Sequence, residues 1–75
     1  MEPDISIMTL DIIEAIKSRN YVLLNKKTNN VQVELLPKGF YGDFDGFRAY
    51  NLKGKEIKVP FNEVTTWSGI SKKAI

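Results

Sequence analysis

Arg48, Tyr50 and Lys58 are the residues of this chain whose types and spacing most readily do chemistry, and that chemistry is recognition of an anion. They lie in the stretch from Phe47 to Val64, FRAYNLKGKEIKVPFNEV, which reads as a tight β-hairpin. Asn51-Leu52-Lys53-Gly54 fits a type I turn. Asn at the first position bonds the local backbone, and Gly at the fourth takes positive φ before a bulge. A three-residue loop of Leu52, Lys53 and Gly54 sets Asn51 opposite Lys55, Tyr50 opposite Glu56, Ala49 opposite Ile57, Arg48 opposite Lys58 and Phe47 opposite Val59. One face then carries Phe47, Ala49, Ile57, Val59 and Phe61, and the other Arg48, Tyr50, Glu56 and Lys58. Two like charges set directly opposite repel unless an anion or a carboxylate lies between them. An aromatic ring beside paired cations suits single-stranded nucleic acid or a nucleotide, which gains about 1–3 kcal/mol per base from stacking plus backbone neutralisation. Lys55 and Arg19 are the further cations that could extend this ligand-binding surface. The competing reading has Glu56 and nearby acids neutralise the pair.

The composition narrows the chemistry further. The chain has no cysteine and no histidine, which removes Ser-His-Asp and Cys-His arrangements and nearly all zinc sites. The expectation is a non-catalytic protein without a cofactor, and the lack of cysteine suits a reducing, cytoplasmic interior. At 75 residues the chain reads as one small domain, of a size that buries only about 60% of its unfolded surface. The formal net charge of +2 hides a segregation: Glu2, Asp4, Asp11 and Glu14 come first, and Lys17, Arg19, Lys26 and Lys27 follow without an intervening acid. Such charges either steer a ligand or simply solvate a small domain. No segment reads as a leader or a membrane span.

A second kind of site lies between Pro37 and the hairpin. Asp43-Phe44-Asp45-Gly46 superficially resembles the middle of a calcium loop but lacks a third acidic ligand and the distal Glu, so no metal is expected. Phe40, Tyr41 and Phe44 can instead form an aromatic ridge for a protein partner, or they can cap the end of a barrel.

These residues need a scaffold. Thr9 can cap a helix running to about Ser18, with Leu10, Ile13 and Ile16 tracing the stripe that lies on a sheet and Ile12 and Ala15 beside it. Tyr21 to Asn25 is a β-type run, Lys26 to Asn30 a turn, and Val31 to Leu35 alternates with period two. Pro37 is expected to stop that second strand, leaving Lys38 to Gly46 as an ordered connection or an irregular strand. After the hairpin, Asn62-Glu63-Val64 reads as a turn into a last strand, Thr65-Thr66-Trp67, with 69–75 as a flexible tail. The fold class is therefore mainly β with one N-terminal helix. Five short strands with glycines at the corners curl most economically into a small SH3-like or Sm-like barrel, spanning about 21–68. Trp67 is expected to plug it, and its indole N–H needs a partner.

Several of these segments together resemble the WYL domain family. Ile12-Ile13-Glu14-Ala15-Ile16-Lys17, Arg19 and the strand Tyr21 to Asn25 are similar to that family's opening helix and first strand. Pro37 stands where the family usually has a proline, Ala49-Tyr50-Asn51 looks like its "AYD" segment, and Lys55 to Val64 is similar in spacing to its "RTFRLDRI" ending. The resemblance implies a small Sm-like barrel serving as a regulatory sensor of nucleotides or single-stranded nucleic acid. It departs from the pattern where Asp45-Gly46-Phe47 replaces Trp-Tyr-Leu and where Pro60 and Glu63 replace two arginines. Two readings follow: a nucleic-acid or nucleotide module working through Arg48, Tyr50 and Lys58, and a protein-interaction module working through the aromatic segment or a sheet edge, with a host partner or in a homo-oligomer.

Overall fold

The computed structural model describes residues 4–28 and 31–74, with side chains through residue 71. The helix α1 spans Ile5–Ser18 and begins four residues before the expected start. Asp4, not Thr9, is the cap: its carboxylate accepts the Ser6 backbone N–H at 2.8 Å, and its carbonyl takes the Met8 N–H at 3.0 Å. Arg19 closes the other end in the left-handed region at φ 56°, its N–H directed to the Ala15 and Ile16 carbonyls. The buried stripe also differs from expectation. Met8, Ile12 and Ala15 face the core, while Leu10 and Ile13 stand exposed. Because Ile5 to Ile16 is apolar almost all round, periodicity alone does not choose between the two stripes.

Five strands follow: β1 (Asn20–Lys26), β2 (Gln32–Tyr41), β3 (Gly46–Tyr50), β4 (Glu56–Pro60) and β5 (Val64–Ala74), with a one-turn 3₁₀ helix at Phe61–Glu63 before the last. All pairings are antiparallel, in the order β4-β3-β2-β1-β5. Among the described residues β4 and β5 exchange no ladder bonds, so the sheet is not closed. Of the turn expected at 26–30, Lys26 belongs to β1, while 29 and 30 lie outside the described residues.

Pro37 does not stop β2. The strand pairs with β1 through residues 32–35 and with β3 from Leu36 onward, so Pro37 stands just past the last β1 pairing, where no strand on that side calls on its missing N–H. A bulge at Lys38 follows immediately. Nor do residues 69–74 form a tail. They complete β5, which tracks β1 through three register shifts and places Ile70 against the core and Ser71 in the interior.

One face of the sheet forms the core. Val22, Leu24, Phe47, Ala49 and Val59 have no exposed surface, and Met8 and Ile12 of α1 join the same core cluster. Phe47 is the pivot, packed against Phe61 at 6.1 Å and edge-on to Trp67 at 6.3 Å. The Trp67 indole N–H finds its partner on the helix, donating to Asp11 Oδ2 at 2.7 Å. That bond orients α1, since Asp11 flanks the Met8-Ile12-Ala15 stripe.

Candidate functional site: the outer face of β2, β3 and β4

The hairpin forms in the expected register, from Gly46 opposite Pro60 to Tyr50 opposite Glu56. Its turn is held by the Asn51 side chain, whose Oδ1 accepts the backbone N–H groups of Lys53 and Lys55, each at 2.9 Å. The Gly54 N–H donates to the Asn51 carbonyl at 2.9 Å, with Gly54 at φ 80°, as a left-handed residue must be to close this loop.

Phe47 and Ala49 point into the core, so Arg48 and Tyr50 point outward with Glu56 and Lys58. Arg48 and Lys58 are direct cross-strand neighbours and both are exposed. On the other side of Arg48 lies Gly39, whose missing side chain leaves open space: a Cβ there would meet nothing within 4 Å. The row Gly39-Arg48-Lys58 therefore crosses three strands as a cationic strip, uncovered on its β2 side.

Two tyrosines bound this strip. At one end Tyr50 sits beneath the Lys38 ammonium, 5.5 Å from its ring centre, and Lys38 reaches on to Glu56 Oε1 at 3.1 Å. These contacts hold the Lys38 pKa above its ordinary 10.5, first through the hydrogen bond to Glu56 and then through Tyr50. Sequence reading did not single out Lys38, which faces outward by the alternation that buries Leu35 and Pro37 once β2 continues through the proline. At the other end Lys58 Nζ lies 5.3 Å from the ring centre of Tyr41. Gly46 makes that placement feasible: a Cβ there would collide with the Tyr41 hydroxyl and with the β4 backbone at Val59 and Pro60. Burial raises the Tyr41 pKa, and the negative charges of Asp45 and Glu63 add to it.

The acid expected to neutralise the basic pair is thus engaged elsewhere. Glu56 pairs with Lys38, and among the described residues no carboxylate lies within 4.0 Å of Arg48 or Lys58. The strip is a place where charge can be added and not merely one where it is present.

The remaining candidates fall outside it. Lys55 is exposed in the turn, one residue before β4. Arg19 caps α1, which packs mainly on β1, β2 and β5, away from the hairpin. The aromatic ridge divides three ways: Phe40 packs against the core, Tyr41 joins the outer strip, and Phe44 alone is largely exposed, its ring 5.0 Å from that of Phe40. Asp45 serves the β2–β3 turn through its backbone, donating to the Tyr41 carbonyl and accepting the Phe61 N–H.

No protein-family model matches this chain, and no curated protein and no solved structure matches it either.

Proposed function

We propose that this domain is a non-catalytic, regulatory binding module that holds a phosphate-bearing ligand, single-stranded nucleic acid or a nucleotide, on the outer face of β2, β3 and β4. The observation that carries this reading is the Arg48–Lys58 cross-strand pair, exposed and, among the described residues, without a carboxylate within 4.0 Å while the nearby Glu56 is held by Lys38. Unrelieved like charges directly opposite one another destabilise a sheet, and an anionic ligand removes that cost on binding. Tyr50 and Tyr41 at the two ends supply rings beside the phosphate site. The strand order β4-β3-β2-β1-β5, with a helical turn before the last strand, supports an SH3-like or Sm-like barrel left open between β4 and β5, while the WYL-like assignment rests on the sequence resemblance. A cytoplasmic location is part of the same reading, since a chain without cysteine has no need of an oxidising compartment. Among the described residues no helix is long and apolar enough to cross a membrane.

The test is a titration of fluorescent single-stranded DNA and RNA at two salt concentrations, repeated on a variant with Arg48 and Lys58 both changed to Ala. Binding that weakens with salt and is lost in the variant is the expected result; two phosphate contacts give a log–log slope of about −1.4. Salt-insensitive binding, or an unaffected variant, overturns it. One observation favours a second reading, contact with a protein partner: Phe44 is 58% exposed and held at φ 59°, a left-handed conformation that costs a non-glycine residue about 1–2 kcal/mol. A variant that keeps the cationic strip and changes Phe44 to Ser separates the two.

A further inference from the structure

The large exposed apolar side chains of this domain fall mostly into two places, and neither is the cationic strip. Ile7, Leu10 and Ile13 recur every third residue along the outer side of α1, with Leu10 68% exposed, and form a ridge that none of the described residues covers. At the far end of the hairpin a cleft of about 560 Å³ opens between β1–β2 and the Asn51–Gly54 turn. Leu23, Val33 and Ile57 line it together with Leu52, which is itself 68% exposed at a turn position normally given to a polar residue. Val31, another exposed apolar residue, adjoins the cleft residue Gln32.

The two surfaces are complementary in shape and in charge. The ridge is convex and the cleft concave, with room for the tips of aliphatic side chains. Up to Ile16 the chain carries acids and no base, and Glu14 follows Leu10 by one turn on the same outer side. The cleft is lined by Lys26 and Lys53, while its acid, Glu34, already accepts a hydrogen bond from the Ser71 hydroxyl at 3.2 Å. From this complementarity we infer that the cleft of one molecule receives the Ile7-Leu10-Ile13 ridge of a second copy of this chain. The contact is heterologous, one copy giving its helix and the next its cleft, so it closes into a ring or extends as a chain of subunits. It leaves Arg48 and Lys58 uncovered, and its success or failure is independent of ligand binding there.

A mixing experiment tests it. Wild-type protein is expected to associate in sedimentation velocity, while Leu10→Glu and Leu52→Glu each give monomers with unchanged circular dichroism and thermal midpoints, both positions being exposed. Mixed in equal amounts, the two variants retain one intact ridge and one intact cleft and are expected to form a one-to-one dimer and nothing larger. A charge exchange is the second line: Glu14→Lys and Lys53→Glu each weaken association about tenfold or more, and mixing them restores part of it. A wild-type monomer at all concentrations up to about 1 mM overturns the proposal. So does a Leu52→Glu variant that still assembles while Leu10→Glu does not, which is the signature of helix packing on helix.

Discussion

On the inner face of the β3–β4 hairpin Phe47, Ala49 and Val59 expose no surface, while one residue further along the same strands Arg48 and Lys58 stand in solvent facing each other. Both faces come from one period-two pattern, yet they are governed by different physics. The inner residues are held by burial and by geometry, Phe47 between Phe61 and Trp67. The outer residues gain little from burial: Lys58 rests over the Tyr41 ring, but the two like charges facing each other oppose stability in the free protein. A surface kept at a cost to stability is a reasonable place to look for a ligand, whereas an inner face this well filled speaks only for the fold.

The inner face should break first and hardest. Phe47→Ala removes the ring on which Phe61 and Trp67 converge and is expected to cost about 3–5 kcal/mol in urea denaturation. A domain of this size has roughly 4–11 kcal/mol in total at about 0.05–0.15 per residue, so the variant should lie close to unfolding at room temperature. A loss under 1 kcal/mol would mean that the core is not organised around Phe47.

Trp67→Phe comes next. It keeps most of the aromatic packing but leaves the Asp11 carboxylate, bonded at 2.7 Å in a part-buried site, without its donor. The expected cost is about 1–3 kcal/mol. Asp11→Ala should cost a similar amount and the double variant little more, because both remove the same bond between α1 and β5. Strict additivity would show that Asp11 does not position the helix.

How much of this was legible beforehand depends on what decides each element. The hairpin was, register included, because Asn51 and Gly54 encode its turn within four residues and the alternation of Phe47 to Tyr50 assigns the faces. Arg48 opposite Lys58 followed directly. The start of α1 was not, because Asp4 and Thr9 are both good caps and the choice fell on Asp4; nor were the inward stripe of that helix, the run of β2 through Pro37 and the length of β5, each settled by a neighbour distant in sequence. Leu10 and Ile13 make as good a stripe as Met8 and Ile12 until Trp67 selects the side on which Asp11 lies. Lys38 belongs to the site because β2 runs on through Pro37, and Tyr41 through the space left by Gly46, features that local periodicity does not expose. The signal available was the pair of glycines, Gly39 and Gly46, placed where side chains would otherwise fill the outer face.

Alkaline pH probes the ends of the outer strip. Lys38 and Tyr41 both have pKa values raised in the folded state, Lys38 by Glu56 and Tyr41 by burial and nearby negative charge. In each case the proton is held more tightly folded than unfolded. Their contributions are therefore complete below the ordinary values of 10.0 and 10.5, and are lost as pH rises through the folded ones. Denaturation midpoints should fall above about pH 10, and less steeply for Tyr41→Phe. Equal slopes in wild type and variant would remove Tyr41 from the explanation.

The smallest expected change is the most diagnostic of the comparison, because its sign differs between the two faces. Arg48→Glu replaces a like-charge pair by an opposite-charge pair across the same strands, leaves Lys58 over Tyr41, and changes no buried group. If the outer face is kept for an anion, this variant should be more stable than wild type by about 0.2–1 kcal/mol, an advantage that shrinks with added salt. It should also lose affinity for single-stranded nucleic acid more completely than Arg48→Ala, since it places a negative charge in the strip. Gain in stability and loss of binding in one substitution is the outcome that a merely solvating pair does not produce. Unchanged stability with intact binding would return Arg48 to the status of an ordinary surface residue, and with it the whole contrast between the two faces.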